Sequence, residues 1–270
     1  MSDVPPILLI LIALKAGARI MDVYQTDFSV DAKSDASPVT EADGAAEEII
    51  LTELAKLSPD IPVVAEEAVS KGDVPETDKV FYLVDPLDGT REFISRNGEF
   101  TVNIALIEEG VPVTGVVYAP ALGELFWGAK GKGAFRAAVK EGVIGSQEPI
   151  RVRSAPSAVT AIGSRSHGSA ETEEWLKQYM VNDFVAAGSS LKFCRVAEGS
   201  ADLYPRHGRT MEWDTAAGDA VLRAAGGLVT TLDGQPLTYG KRDRADATDF
   251  ANPYFIAYGD QDLVGATVSA

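Results

Sequence analysis

Asp85 and Asp88 stand three residues apart at the end of an apolar run, in the segment Leu83-Val-Asp-Pro-Leu-Asp-Gly-Thr90. Pro86 stiffens the path between them, and Gly89 permits a tight turn into a short helix over 89–94. The start of such a helix offers free N–H groups and a positive dipole end, which suit a phosphate. Two carboxylates beside an anion site make sense when cations lie between them, since otherwise they repel the anion. Capping of the helix by Asp88 is the plainer reading, but it leaves Asp85 without a task. The D-P-L-D-G spacing does not fit a calcium-binding EF-hand loop. Three further acidic places qualify as partners. Glu66-Glu67 follows a short apolar strand, Pro62-Val-Val-Ala65, although such a pair is ordinarily a solvated loop. Thr40-Glu-Ala-Asp43 matches a helix-capping pattern, which can be true together with a role in chemistry. Asp214, in Trp213-Asp-Thr-Ala-Ala-Gly218, precedes a helix, where capping is again the ordinary role.

Composition narrows the chemistry. The chain of 270 residues has one cysteine, Cys194, and two histidines, His167 and His207. An internal disulfide, a four-cysteine zinc site and a three-histidine zinc site are therefore excluded. A bound metal would take oxygen ligands, which favours Mg²⁺ or a similar hard cation. The formal net charge of −16 gives no electrostatic reason to coat polymeric nucleic acid. Ser164-Arg-Ser-His167 pairs a serine with a histidine, but no G-x-S-x-G elbow supports a serine nucleophile.

The elements that must position these residues follow from periodicity. Ile7–Leu14 is apolar throughout, too short to span a membrane, and preceded by Ser2-Asp3-Val4 rather than basic residues. It reads as the start of a helix over about 6–26, opened by Pro5-Pro6. Ala46, Ile50, Leu54 and Leu57 give 41–57 an apolar helical face. Strands are expected at 80–84, 100–107, 111–119 and 123–128, followed by a looser stretch marked by Gly131, Gly133 and Pro149. The second half alternates strands at 159–162, 184–187, 228–231 and 254–258 with helices at 169–180, 190–199 and 215–225. Sheets flanked by helices in both halves indicate a layered α+β or α/β protein. The halves, 1–155 and 156–270, meet without a flexible tether and form one compact unit.

D-P-L-D-G-T at 85–90 and W-D-T-A-A-G at 213–218 resemble the two signature motifs of the inositol monophosphatase-like family of metal-dependent phosphatases. Glu66-Glu67 and Thr40-Glu-Ala-Asp43 fall in that family's order, and the resemblance spans essentially the whole chain. It implies a layered αβαβα sandwich with two or three Mg²⁺ per active site. It implies that Glu66, Asp85 and the Leu87 carbonyl hold one Mg²⁺, and that Asp85, Asp88 and Asp214 hold a second, with Asp85 bridging. Asp43 and Thr90 match the pair that orients and deprotonates the attacking water, with Glu66 beside them. Gly89 and Thr90 match the phosphate-holding N–H groups. Metal-activated water, in-line displacement and inhibition by Li⁺ come with the resemblance.

Substrate divides the family. Thr90-Arg-Glu-Phe-Ile-Ser-Arg-Asn-Gly-Glu-Phe-Thr-Val-Asn103, Ser164-Arg-Ser-His167, Gly188-Ser-Ser-Leu-Lys192 and Ala201-Asp-Leu-Tyr-Pro-Arg206 resemble its 3′(2′),5′-bisphosphate nucleotidase branch. That branch removes the 3′-phosphate of adenosine 3′,5′-bisphosphate, leaving AMP, within sulfur assimilation. Lys192 and Arg206 suit the 5′-phosphate, Arg bidentately. Ser166, His167, Gly188, Ser189 and Asp214 complete the expected substrate contacts. The second reading is an inositol-1-phosphate or related sugar-phosphate phosphatase. Arg206 and Arg209 stand where inositol phosphatases carry an acidic residue, while Glu212 nearby keeps that reading open. A catalytically silent metal- or phosphate-binding regulator is the third, opposed by the full set of ligand-type residues. The expected location is cytoplasmic. The sequence leaves room for peripheral attachment at the inner membrane face and for a homodimer.

Overall fold

The computed structural model describes residues 4–32, 38–164 and 169–265. The first half of the chain runs α1 (Pro6–Tyr24), β1 (Val30–Ala32), β2 (Pro38–Thr40), α2 (Glu41–Leu57), β3 (Val63–Ala65), α3 (Glu66–Ser70), β4 (Val80–Asp88) and α4 (Thr90–Ile94). Six strands follow: β5 (Thr101–Glu108), β6 (Val111–Ala119), β7 (Glu124–Ala129), β8 (Gly133–Lys140), β9 (Val143–Ile144) and β10 (Glu148–Ile150). The second half runs β11 (Val159–Ser164), α5 (Ala170–Leu176), β12 (Val181–Ala187), α6 (Leu191–Ala197), β13 (Leu203–Arg206), α7 (Ala216–Ala224), β14 (Leu228–Thr231) and β15 (Phe255–Tyr258).

The large sheet has the order β10-β8-β7-β6-β5-β4-β3, with β9 paired to β8. A second sheet has the order β12-β11-β13-β15-β14. Helices α1 and α2 cover one face of the large sheet, α6 and α7 lie between the sheets, and α5 packs on the far side of the second. These are the five layers of an αβαβα sandwich, as the resemblance implies. The central strands β4–β6 read as largely apolar runs because both of their faces are covered.

Several expectations are corrected. The looser stretch after Ala129 contains three strands. Gly131 and Gly133, at φ of 76° and 87°, make the turn between β7 and β8, and Pro149 lies in the edge strand β10, where a missing N–H is tolerated. Strand β4 does not end at Val84 but carries both aspartates, with a break in its ladder to β5 between Asp85 and Asp88. Helix α5 stops at Leu176, and β12 begins at Val181, earlier than expected. Strands β1, β2 and β13 were not expected. Helix α1 ends at Tyr24. Among the described residues no helix is long and apolar enough to cross a membrane.

Two glycines set where α7 lies. A Cβ at Gly115 of β6 would stand 2.4 Å from the Ala217 carbonyl oxygen, and one at Gly128 of β7 would stand 2.8 Å from Val221 Cα. The helix therefore rests directly on the sheet backbone, which fixes the turn at its N-terminus, where Asp214 sits.

Candidate metal and phosphate site

The acidic residues arrive on separate elements. Glu66 is the first residue of α3, immediately after β3, rather than part of a loop. Asp85 lies in β4 and is 1 % exposed; its Oδ1 accepts the Leu87 N–H at 3.0 Å. Glu66, Asp85 and Asp214 each place a carboxylate oxygen within 4.8 Å of the other two. Asp88 stands beside this triad. Its Oδ2 accepts from Ser189 Oγ at 2.6 Å, Ser190 Oγ at 3.1 Å and Asn103 Nδ2 at 3.4 Å.

The plain capping readings fare differently at three positions. Gly89, at φ of 93°, is the N-cap of α4, and Asp88 turns to the serines instead. Thr215 is the N-cap of α7, and Asp214 Oδ2 accepts the Met211 N–H at 2.8 Å. Asp43 does cap: Thr40 and Asp43 form a capping box at the start of α2. Its Oδ2 takes both the Thr40 N–H and hydroxyl, while its Oδ1 accepts the Thr90 hydroxyl at 3.4 Å. Capping and the Asp43–Thr90 pairing thus coexist, with α2 and α4 each contributing one partner.

A cleft of about 340 Å³ opens over these groups, lined by Glu66, Asp88, Gly89, Thr90, Ser189, Lys192, Arg206, Asp214 and their neighbours. Withdrawal from water pushes the Asp214 carboxyl well above the usual carboxylate range, and the nearby charges of Asp88 and Glu66 push it the same way. Like charges held together in this manner are costly without a cation. The donors are all oxygens, so the residues fit Mg²⁺.

Basic residues line the same cleft. Lys192 is 5 % exposed and donates to the Ser189 carbonyl, with its ammonium 5.4 Å from the centre of the Tyr204 ring. Burial pushes its pKa down to about 8, against the pull of Asp88. The Arg206 Nε is buried with no hydrogen-bond partner among the described residues, while Nη2 donates to the Arg209 carbonyl at 3.2 Å. A desolvated ammonium and an unpartnered guanidinium N–H are groups that an anion would satisfy.

Some expected contacts lie elsewhere. Gly188 does not offer its amide to the cleft. Its N–H donates to Glu99 Oε2 at 2.8 Å, and a Cβ there would come within 2.7 Å of Glu92 Cγ, so the position shapes the turn. Ser166 and His167 lie outside the described residues. Glu212, which left the sugar-phosphate reading open, is fully buried. Its oxygens accept the Gly240 N–H at 2.6 Å, the Lys241 N–H at 2.9 Å and the Lys241 ammonium at 2.6 Å. Sequence reasoning missed Thr101 and Asn103, although two polar residues at a spacing of two in the otherwise apolar β5 signal a shared polar face.

Clustered carboxylates beside a basic wall define a cation-assisted phosphate site. The chain belongs to the inositol monophosphatase family, whose model matches residues 6–258. It is 49% identical over 246 residues to the 3′(2′),5′-bisphosphate nucleotidase CysQ of Escherichia coli O6:H1, covering 90% of this chain and 95% of that one. Among solved structures, CysQ from Bacteroides thetaiotaomicron is 40% identical with a TM-score of 0.78, over 94% of this chain and 96% of that one. An inositol monophosphatase from Thermotoga maritima is 27% identical with a TM-score of 0.72, over 93% and 90%.

Proposed function

We infer that the protein is a 3′(2′),5′-bisphosphate nucleotidase that hydrolyses the 3′-phosphate of adenosine 3′,5′-bisphosphate to AMP and phosphate, with a role in sulfur assimilation. The observation that carries this reading is the presence of one buried lysine and one unpartnered arginine N–H in the same cleft as the acidic residues. A substrate with two phosphates needs two such poles. Similarity to CysQ proteins over nearly the whole chain supports the same substrate class.

In this reading Glu66, Asp85 and the Leu87 carbonyl would hold one Mg²⁺, and Asp85, Asp88 and Asp214 would hold another, with two or three ions in all. Bound Mg²⁺ supplies Lewis-acid stabilisation of the phosphoryl charge and lowers the pKa of water. The chain's own groups do the rest. Asp43 Oδ1 accepts a hydrogen bond from the Thr90 hydroxyl, which leaves a lone pair of the Thr90 oxygen to accept a hydrogen bond from the attacking water. Because Asp43 Oδ2 is pinned by Thr40, the pair is held in one orientation. The Gly89 and Thr90 N–H groups receive the phosphate that is cleaved. Lys192 and Arg206 receive the 5′-phosphate, and Ser189 borders it. Residues 1–155 supply most of the acidic pole and 156–270 supply Asp214 and the basic wall.

The test is phosphate release with Mg²⁺ from adenosine 3′,5′-bisphosphate and from inositol 1-phosphate. Strong preference for the nucleotide is expected. Preference for inositol 1-phosphate would overturn the reading, and release from neither would favour a silent regulator.

A further inference from the structure

We propose that Asn103 is a positioning residue which, with Thr101, Ser189 and Ser190, holds Asp88 in the orientation that takes up the cation. The proposal rests on the two-metal reading of the site and adds residues outside its ligand set.

In the β4–β5 ladder Asn103 stands opposite Asp85 and Thr101 opposite Asp88. Both are fully buried, in a strand whose residues Val102, Ile104, Ala105, Leu106 and Ile107 are buried and apolar. The Asn103 amide has one workable orientation. Its Nδ2 donates to Ser190 Oγ at 3.0 Å and to Asp88 Oδ2 at 3.4 Å, and its Oδ1 accepts from the Thr101 hydroxyl at 3.1 Å. Turned over, its carbonyl would face a carboxylate oxygen. Thr101 Oγ1 also lies 2.5 Å from Ser189 Oγ, which in turn reaches Asp88 Oδ2 at 2.6 Å. Ser190 Oγ also reaches the Asp214 carbonyl at 2.7 Å.

The network therefore joins β4 and β5 of the large sheet to the start of α6 and to the turn that carries Asp214. It engages Asp88 through Oδ2, and Asp88 lines the cleft. Packing alone does not account for it, because an apolar strand has no need of two buried polar groups, and each would be costly if unpartnered. Groups that orient metal ligands in this way change metal affinity by about ten- to a hundredfold when removed.

Calorimetric titration of the full chain with Mg²⁺ alone tests the proposal, using wild type, Asn103→Leu and the isosteric Thr101→Val, with melting temperatures taken in EDTA. Asn103→Leu is expected to weaken Mg²⁺ binding by about tenfold or more, and Thr101→Val by a smaller factor, with the Thr101→Val melting temperature in EDTA close to wild type. A packing role would leave Thr101→Val at wild-type affinity. Wild-type affinity in folded Asn103→Leu and Thr101→Val would overturn the proposal; if Asn103→Leu does not fold, Thr101→Val decides. Wild-type protein that binds Mg²⁺ but leaves adenosine 3′,5′-bisphosphate intact would sink the functional reading, while the order of affinities would still judge Asn103.

Discussion

At the residue scale, Asp85 and Lys192 mark the two poles, and they should fail differently. Asp85 is buried within the acidic triad, and on the proposed two-metal reading Asp85→Asn removes a charge that both cation sites would share. Turnover should fall by about a hundredfold or more, with loss of Mg²⁺ binding by calorimetry. Retained turnover would refute the shared ligand. Lys192→Met removes the buried ammonium while keeping most of its volume. A charge-assisted hydrogen bond is worth about 1.5–3 kcal/mol, so the KM for adenosine 3′,5′-bisphosphate should rise about ten- to a hundredfold. Hydrolysis of adenosine 3′-phosphate, which lacks the second phosphate, should change little. Equal losses on both substrates would place Lys192 in the general structure of the cleft.

At the scale of elements, the site depends on how helices meet strands. Helix α7 lies on Gly115 and Gly128, so Gly128→Ala must push it away from the sheet. Overpacking of this kind costs about 1–3 kcal/mol. Thermal melts should show the loss, and Mg²⁺ affinity should fall with it because Asp214 lies in the turn that leads into that helix. Helix α2 meets α3 through Glu47, whose Oε2 accepts the Glu67 N–H at 2.8 Å. Burial raises the Glu47 pKa from 4.5 to about 7, with the Glu67 N–H acting the other way. Between those values the folded chain holds a proton that the unfolded chain releases. Stability from this group is therefore full below about pH 4.5 and is lost as pH rises through about 7, an effect on the order of 3 kcal/mol at most. In EDTA, Glu47→Gln should melt higher than wild type at pH 8 and show a smaller advantage at pH 5. An advantage independent of pH would contradict the assignment.

At the scale of the whole molecule, two sheets on either side of α6 and α7 bring distant residues together, and that explains what the sequence could and could not reveal. Helix α2 was legible because an apolar stripe follows a capping box at Thr40. The apolar strands β5–β7 were legible because both of their faces are buried. Strands β8 and β10 were not, since glycines at positive φ and a proline at a sheet edge read locally as breakers. Strand β13 hid behind Pro205, which pairs with Ile256 in the ladder to β15, while the ladder to β11 is a single pair, Ala161 and Leu203. The acidic residues were found from motif and strand-end position. The Asn103–Ser190 link was not, because it joins residues 87 apart in sequence. Cation binding should stabilise the molecule as a unit. Mg²⁺ should raise the wild-type melting temperature in proportion to the logarithm of its concentration and should leave Asp85→Asn unmoved.

Central to the account is a nucleotide held by one phosphate and cleaved at the other. Phosphorus NMR of a single reaction containing equal amounts of adenosine 3′,5′-bisphosphate and inositol 1-phosphate, with Mg²⁺, tests it most directly. The expected result is loss of the 3′-phosphate resonance first, with the 5′-phosphate retained as AMP. Earlier loss of the inositol 1-phosphate resonance, or accumulation of adenosine 3′-phosphate, would contradict it.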